Sequence, residues 1–171
     1  MSAEELMKQL QNDPEYLRQE AVREEKWRRL EEADARLEKP ILADLDSASF
    51  NGESIEAVVR NHTPLPKEAV EILLRWLRAL NEEDLEGRSG HARLAESVVR
   101  ALAATRLSFD GRSLVDCFEN TSDEGLKWAI ANTIALTTPH SIDEWLSDKL
   151  QHGYWGKTLR ELGRESKRGR S

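Results

Sequence analysis

The stretch LVDCFENTSDEGLKWAIANTIAL, residues 114–136, places an apolar helical pattern before a short acidic turn and an alanine-rich helical pattern after it. On a helical wheel of the second pattern, Leu126 and Ile130 share one face, whereas Trp128 and Ala131 lie on the opposite face. A helix that is apolar on both sides must be covered on both sides. The stretch therefore predicts a helix packed between its own partner helix and the neighbouring helices of a larger array.

Two similar pairs of helical patterns flank this stretch. Upstream, residues 73–80 and 95–104 form such a pair, with a longer loop between them. Downstream, residues 145–150 and 157–162 repeat the pair about 31 residues later. Repeats of this length mark arrays in which each unit buries its apolar face against its neighbours. The sequence therefore predicts an all-α fold with a short array of stacked helix pairs.

Residues 114–134, with their apolar helix, acidic turn and alanine-rich second helix, resemble the HEAT-repeat class of α-solenoids. The resemblance covers roughly residues 65–163 and implies a short right-handed solenoid of helix pairs, preceded by a long charged N-terminal helix. This layout is also similar to a group of bacterial HEAT-repeat proteins whose function is not established. Solenoids of this kind expose extended surfaces for binding partners.

Turn and charge signals divide the chain into three segments. The run TPLP at residues 63–66 is the clearest boundary, so residues 1–64 are interpreted as a charged N-terminal helical segment with its connector. Residues 65–163 carry the helical repeats, and residues 164–171 form a basic flexible tail. Such a tail either contacts nucleic acid or an acidic partner, or is a disordered solubilising end. The basic residues of this C-terminal region are Arg160, Arg164, Lys167, Arg168 and Arg170.

Capping and proline signals predict where helices begin and end. The first long helix is expected from about Pro14 to Glu38, because Asp13 can cap it and Pro40 ends it. Further helices are expected to open at S/T-x-x-E capping boxes, in which two side chains satisfy two backbone amides. These pairs are Ser2 with Glu5, Thr121 with Glu124, and Ser141 with Glu144.

The first long helix is unusually polar, since 15 of the 25 residues from Glu15 to Lys39 are charged. Such a helix is either a solvated arm with one docked face or one half of a coiled-coil seam. The first alternative favours a monomer, whereas the second gives a dimer through this helix or a seam for a partner. Its thin apolar stripe consists of Leu17, Ala21, Trp27, Leu30, Ala33 and Leu37.

The bulk composition limits the kinds of partner. The net charge of −7 argues against a general binder of nucleic acids or anionic membranes, because both kinds of binding need a basic surface. No stretch approaches the ~20 consecutive apolar residues of a membrane span. The N-terminus lacks the basic and apolar regions of a signal peptide, so a cytoplasmic location is expected.

Residue types that commonly carry catalysis or metal binding are scattered along the sequence. The single cysteine, Cys117, lies in an apolar run and is expected to be a small buried hydrophobic residue. The sequence contains no metal-binding, nucleophile or nucleotide-binding motif, so no catalytic residue, metal ligand or cofactor is predicted. The four histidines are widely spaced and are expected in loops or at helix ends: His62, His91, His140 and His152.

A non-enzymatic protein–protein interaction module or scaffold is the function that these features favour, because a solenoid-like pattern occurs without any chemical motif. The acidic charge is compatible with an inhibitor or immunity-type protein that binds a basic partner. No specific partner-binding residue is predicted.

The alternative is a nucleic-acid-binding protein related to the alkylpurine DNA glycosylases, which are built of HEAT-like repeats. That resemblance implies an aromatic wall and a catalytic acid in a concave groove. Two of the tryptophans lie on apolar stripes, however, and an acidic chain is poorly suited to neutralising phosphates. The residues that would form the wall and the acid are Trp76, Trp128, Trp145 and Asp148.

Removal of residues 1–39 tests the role of the charged helix. We expect the remainder to stay folded but to be less stable and less soluble, because a terminal repeat loses its polar cover. Light scattering on both chains checks this expectation, with the intact chain expected to be a monomer. A dimeric intact chain that becomes monomeric on deletion would show instead that the helix is an oligomerisation arm.

Overall fold

The computed structural model describes residues 2–4, 7 and 13–169. Within these residues the chain forms eight helices and no β-strand, which confirms the predicted all-α class and the long N-terminal helix. The chain divides into two compact units, Met1–Arg36 and Leu37–Ser171. The helices are α1 (Pro14–Ser47), α2 (Ile55–His62), α3 (Lys67–Leu80), α4 (Gly90–Leu102), α5 (Arg112–Asn120), α6 (Glu124–Thr137), α7 (Asp143–Gln151) and α8 (Gly153–Arg168).

The first unit is dominated by the charged part of α1. Pro14 is the first helical residue, as predicted, and the Asp13 carboxylate accepts a hydrogen bond from the backbone N–H of Glu15 at 2.8 Å. Trp27 on the apolar stripe is 62% exposed, so this helix buries little apolar surface within its own unit. Of the expected capping box at the N-terminus, Glu5 lies outside the described residues.

Ion pairs one turn apart reinforce this helix. The Arg28 guanidinium lies 2.6 Å from the Glu25 carboxylate and 2.8 Å from the Glu32 carboxylate. Arg29 makes a second ion pair with Glu25, at 2.7 Å. Glu25 is partly exposed and the other three side chains are largely exposed, and pairs of this kind each stabilise a helix by only about 0.2–0.5 kcal/mol. The unit is therefore held mainly by local helix interactions.

Helix α1 continues through Pro40, so the predicted end at Glu38 is wrong. A proline inside a helix removes one backbone hydrogen bond and destabilises the helix by roughly 3 kcal/mol. Ile41 and Leu45 follow it one turn apart and are fully buried in the core of the second unit. Because burying each aliphatic side chain contributes roughly 1.5–3 kcal/mol, packing offsets the effect of the proline.

The helices of the second unit contact one another in a regular order. Consecutive helices pack as pairs, namely α3 with α4, α5 with α6, and α7 with α8. Helix α4 also contacts α2 and α6, and α6 in turn contacts α8. One row therefore consists of α2, α4, α6 and α8. Each helix of this row packs on the helix that comes two places later in the chain. In the other row, α3 contacts α5.

Helix α6 lies in the middle of the first row and is buried on two sides. Leu126 and Ile130 on one face are each 0% exposed, and so is Ala131 on the opposite face. The buried Thr133 hydroxyl donates a hydrogen bond of 2.9 Å to the backbone carbonyl of Val99 on α4. The prediction of two-sided cover is therefore confirmed for this helix, except that Trp128 is 41% exposed.

Backbone hydrogen bonds also join the loops that precede the odd-numbered helices. The N–H of Leu65 donates to the carbonyl of Ala104 at 3.2 Å, and the N–H of Gly111 donates to the carbonyl of His140 at 2.9 Å. Gly111 is closely packed, because a Cβ atom there would lie 2.7 Å from Cγ2 of Ile142 and would force that side chain to shift. These loops therefore run side by side and fix the spacing of the helix pairs.

The two predicted capping boxes of the second unit are wrong. The Asp123 carboxylate caps α6 by accepting the Leu126 N–H at 2.8 Å, while the buried Thr121 hydroxyl donates to the carbonyl of Leu85 at 2.7 Å. Thr121 is thus occupied with a distant loop. At α7, Ser141 has a positive φ of 67°, and Ile142 occupies the cap position without a side-chain hydrogen bond.

The segment boundaries of the structure differ from those drawn on the sequence. Residues 37–64, which the sequence assigns to the N-terminal segment, lie in the second unit. Ser54 caps α2 by accepting the N–H of Ala57, and the Glu38 carboxylate accepts the N–H of Ile55 at 2.7 Å, which ties the end of α2 to α1. At the other end, residues 164–168 of the expected basic tail continue helix α8, whereas Arg170 lies outside the described residues.

Truncation of the Ile130 side chain tests the central position of α6. Ile130→Ala is expected to lower the free energy of unfolding by ~2–5 kcal/mol, because it leaves a cavity in a fully buried site. Urea denaturation measures this loss. Leu107→Ala is the matched control, since Leu107 is 44% exposed and its truncation is expected to matter little. Equal stabilities of the two variants would show that Ile130 does not lie in the core.

Candidate protein-interaction surface

An exposed aromatic surface crosses the row formed by α4, α6 and α8. Its members, called the aromatic surface below, are Arg100 on α4, Trp128 on α6, and Tyr154 and Lys157 on α8. Trp128 is 41% exposed and Tyr154 is 68% exposed. The Arg100 guanidinium lies 5.6 Å from the centre of the Trp128 ring, which is a cation–π distance. Three helices thus contribute to one continuous surface.

A cleft of about 250 Å³ lies within this surface. Trp128 and Tyr154 both line it, on opposite sides of the contact between α6 and α8. The rest of the lining comes from α8 and is mixed in character: Lys157, Thr158, Glu161, Leu162 and Glu165. The cleft therefore offers aromatic faces together with groups that can form hydrogen bonds and ion pairs.

Local sequence explains why these side chains point outward. Trp128 lies between the fully buried Leu126 and Ile130, so helical geometry turns it away from the core. Tyr154 precedes the half-buried Trp155, whose ring packs edge-on against Phe118 at 5.3 Å between ring centres. Because the Trp155 ring is anchored against Phe118, the adjacent Tyr154 ring is left in solvent.

The position of Arg100 is fixed by an ion pair within its own helix. Its guanidinium lies 2.6 Å from the Glu96 carboxylate, one turn earlier. This contact holds the guanidinium over the Trp128 ring. Tryptophan, tyrosine and arginine are the residue types that contribute most often to the binding energy of protein interfaces. Their clustering in an exposed position makes the aromatic surface the leading candidate for partner binding.

Trp76 and Trp145 have a different role, because each is half-buried and packs against the core. The Trp76 indole donates a hydrogen bond of 2.8 Å to the Asp44 carboxylate, and the Trp145 indole donates one of 2.8 Å to the Glu119 carboxylate. Hydrogen bonds from Lys149, and then from Trp145, hold the pKa of Glu119 below its usual value. These two tryptophans therefore fasten neighbouring helices to each other.

The residues named for a glycosylase-like groove are brought together only in part. Trp145 and Asp148 line one groove, whereas Trp128 lies in the separate cleft beside Tyr154. The groove holds the carboxylates of Asp116, Glu144 and Asp148 and one guanidinium, that of Arg112. Three carboxylates against one guanidinium make a surface that repels phosphate.

The four histidines lie at separate places in the fold. His62 packs edge-on against Phe50, with 5.5 Å between ring centres. His140 lies 3.3 Å from the Ser108 hydroxyl, and His152 lies 3.4 Å from the Asp148 carboxylate. Among the described residues, no group of three or more histidine, cysteine or acidic side chains is placed to hold a metal ion.

Comparison of the chain with protein-family models, with curated proteins and with solved structures finds no match. Within residues 2–4, 7 and 13–169, no helix is both long and apolar enough to cross a lipid bilayer.

The sequence predicts the aromatic surface only in part. The helical wheel places Trp128 opposite the buried face, but it does not reveal that Arg100 and Tyr154 lie beside it.

Thiol labelling tests the burial of Cys117, which is 0% exposed. Desolvation, followed by the nearby Asp116 charge, raises the pKa of this thiol to about 12. Because the thiolate is the reactive form, we expect labelling by a thiol reagent at about pH 8 to be at least ~100-fold slower in the native protein than in urea. The raised pKa also makes stability fall as pH rises from about 9 towards about 12, because the unfolded chain releases the thiol proton first. Rapid labelling of the native protein would contradict this placement.

Proposed function

We propose that this chain is a non-enzymatic protein-interaction module, built as a short HEAT-like solenoid, that binds a protein partner through the aromatic surface. The solenoid interpretation is supported by consecutive helix pairs whose even-numbered helices pack on one another in chain order. Contacts of this nearest-neighbour kind are typical of repeat proteins. Such a row of helices gives a partner a long, continuous surface.

The observation that carries the proposal is the exposure of Trp128 and Tyr154 side by side, with the Arg100 guanidinium over the indole ring. Exposed aromatic rings give up unfavourable contact with water when a partner covers them. A partner that closes the cleft also removes solvent from the cation–π contact, which strengthens it. Covering the aromatic surface therefore contributes more favourable binding free energy than covering a charged helix face does.

Charge indicates the kind of partner. The chain carries a net charge of −7, and Glu161 and Glu165 line the cleft beside the aromatic rings. A basic protein suits this arrangement, because its lysine or arginine side chains can pair with Glu165 and can compete for Glu161 with Lys157, which lies 3.9 Å away. An inhibitor or immunity-type role, in which an acidic protein covers a basic one, is a special case of this proposal.

The rival proposal is nucleic-acid binding. It is favoured by the basic side chains of Arg160, Arg164 and Lys167 on α8, which lie along one groove. It is opposed by the net charge and by the carboxylates beside Trp145. The two proposals differ in their response to salt, because phosphate contacts weaken steeply as the salt concentration rises.

Affinity capture with matched variants tests the proposed function. We expect the intact chain to retain a protein from lysate of its source cells in stoichiometric amount. The double variant Trp128→Ala/Tyr154→Ala is expected to lose at least ~10-fold of this capture, because it removes both exposed rings. Leu107→Ala, which removes an exposed apolar side chain elsewhere, is expected to retain it.

A single variant controls for unfolding of the double variant. Tyr154→Ala is expected to leave the melting temperature nearly unchanged, because this side chain is 68% exposed. Two results then decide between the proposals. Unchanged capture by the double variant would place partner binding elsewhere. Nucleic acid that co-purifies and survives washing at ~0.5 M salt would support the rival proposal instead.

A further inference from the structure

A second groove lies at the C-terminal end of the helix array, on the other side of α8 from the aromatic surface. Its volume is about 520 Å³, and it lies between the end of α6, helix α7 and the C-terminal half of α8. Its apolar lining is formed mainly by Ile134, Ile142, Leu146, Leu150 and Leu159. We call it the terminal groove. It shares no lining residue with the aromatic cleft.

The floor of the terminal groove is partly open to solvent. Leu159 and Ile142 are almost fully buried, at 5% and 4% exposure, and form its base. Leu146 and Leu150 on α7 are only half-buried, although they pack against the core. A partner side chain placed over these two leucines would complete their burial and gain apolar contact area.

The rim of the groove has the opposite charge from the chain as a whole. Arg160, Arg164 and Lys167 line it, and among the described lining residues the one carboxylate is that of Asp143. Arg160 also donates a hydrogen bond to the backbone carbonyl of Leu150, which holds it at the edge of the floor. In a protein with a net charge of −7, this rim is a local basic site next to an apolar floor.

Gly163 leaves room for another chain to approach this groove closely. It lies inside α8 and lines the groove, and outside the backbone of α8 no heavy atom of the described residues lies within 4 Å of the position that a Cβ atom would take. Glycine weakens the interior of a helix, and no neighbour in the described part of the chain requires it here. A missing side chain in open space allows the backbone of another helix to come close.

We propose that the terminal groove binds an acidic amphipathic helix of a protein partner. The apolar face of that helix lies over Leu146 and Leu150, its backbone passes Gly163, and its carboxylates pair with the basic rim. Amphipathic helices commonly bind apolar grooves in this way. The proposal goes beyond the proposed function, because the site, its chemistry and its partner differ from those of the aromatic surface.

Fluorescence anisotropy with a synthetic probe tests this proposal. The probe is a fluorescein-labelled peptide of about four helical turns, with leucine at helical i, i+3 and i+4 spacing and glutamate and alanine elsewhere. We expect it to bind the full chain in the micromolar range and to bind more weakly as salt screens the rim. The control peptide carries lysine in place of glutamate. Because the chain as a whole repels an acidic peptide, preference for the acidic probe requires a local basic site.

Three variants locate the binding site. Gly163→Trp fills the groove and is expected to weaken binding of the acidic probe at least ~10-fold. Gly163→Ala leaves room and is expected to weaken it far less, while raising the melting temperature by roughly 2 °C because alanine favours a helix. The double charge reversal Arg164→Glu/Lys167→Glu is expected to weaken binding at least ~10-fold.

Two control variants outside the terminal groove show whether a loss of probe binding is specific to this site. Arg106→Glu reverses an exposed charge outside the groove and is expected to bind the probe nearly as well as the unmodified chain. Trp128→Ala/Tyr154→Ala is also expected to bind it normally, so the two surfaces are tested separately. If Gly163→Trp does not fold, the charge-reversal variant decides. No binding of the acidic probe, equal binding of the lysine peptide, or unchanged affinity in the charge-reversal variant would overturn the proposal.

Discussion

Helix α6 is apolar on more than one side, and the rest of the second unit depends on covering it. Its buried residues face α4 on one side and α8 on the other, and the buried Thr133 hydroxyl donates its hydrogen bond to the Val99 carbonyl of α4. A buried hydroxyl without a partner is costly, so this hydrogen bond fixes how α4 and α6 lie against each other. The row of even-numbered helices follows from this requirement.

The same requirement decides which residues reach solvent. Because α6 lies between α4 and α8, its exposed residues lie along a strip bordered by those two helices, and Trp128 lies in that strip. Arg100 and Tyr154 come beside it from the neighbouring helices. A surface of this kind needs no loop, since each contributing side chain is held by a helix that is anchored in the core.

Periodicity predicted the helices of the second unit well, because strongly apolar stripes exist only where a face is buried. It failed where a distant contact outweighed a local signal. Pro40 ends a helix by local rules, but burial of Ile41 and Leu45 keeps the helix intact. Thr121 has the spacing of a cap, but the Leu85 carbonyl engages its hydroxyl. Neither contact can be read from the neighbouring sequence.

The candidate surfaces were even less accessible to sequence reasoning. Trp128 and Tyr154 are far apart in the chain and share a cleft only because α6 packs on α8. The basic residues near the C-terminus read as a flexible tail, since charge and small residues dominate there. In the structure, Arg164 and Lys167 are instead held on a helix beside the apolar floor of the terminal groove.

Helix α8 carries a different balance of charge on its two sides, and this difference links the two proposals. Glu161 and Glu165 line the aromatic cleft, whereas Arg160 and Arg164 line the terminal groove. The glutamates lie one turn apart on one side of the helix, and the arginines lie one turn apart on the other. The cleft side also carries Lys157, which lies 3.9 Å from the Glu161 carboxylate, so this side is mixed with an excess of one negative charge, whereas the groove side is basic. Under the two proposals, a basic partner of the aromatic surface would be repelled by the basic rim of the terminal groove, so the two surfaces would select different partners.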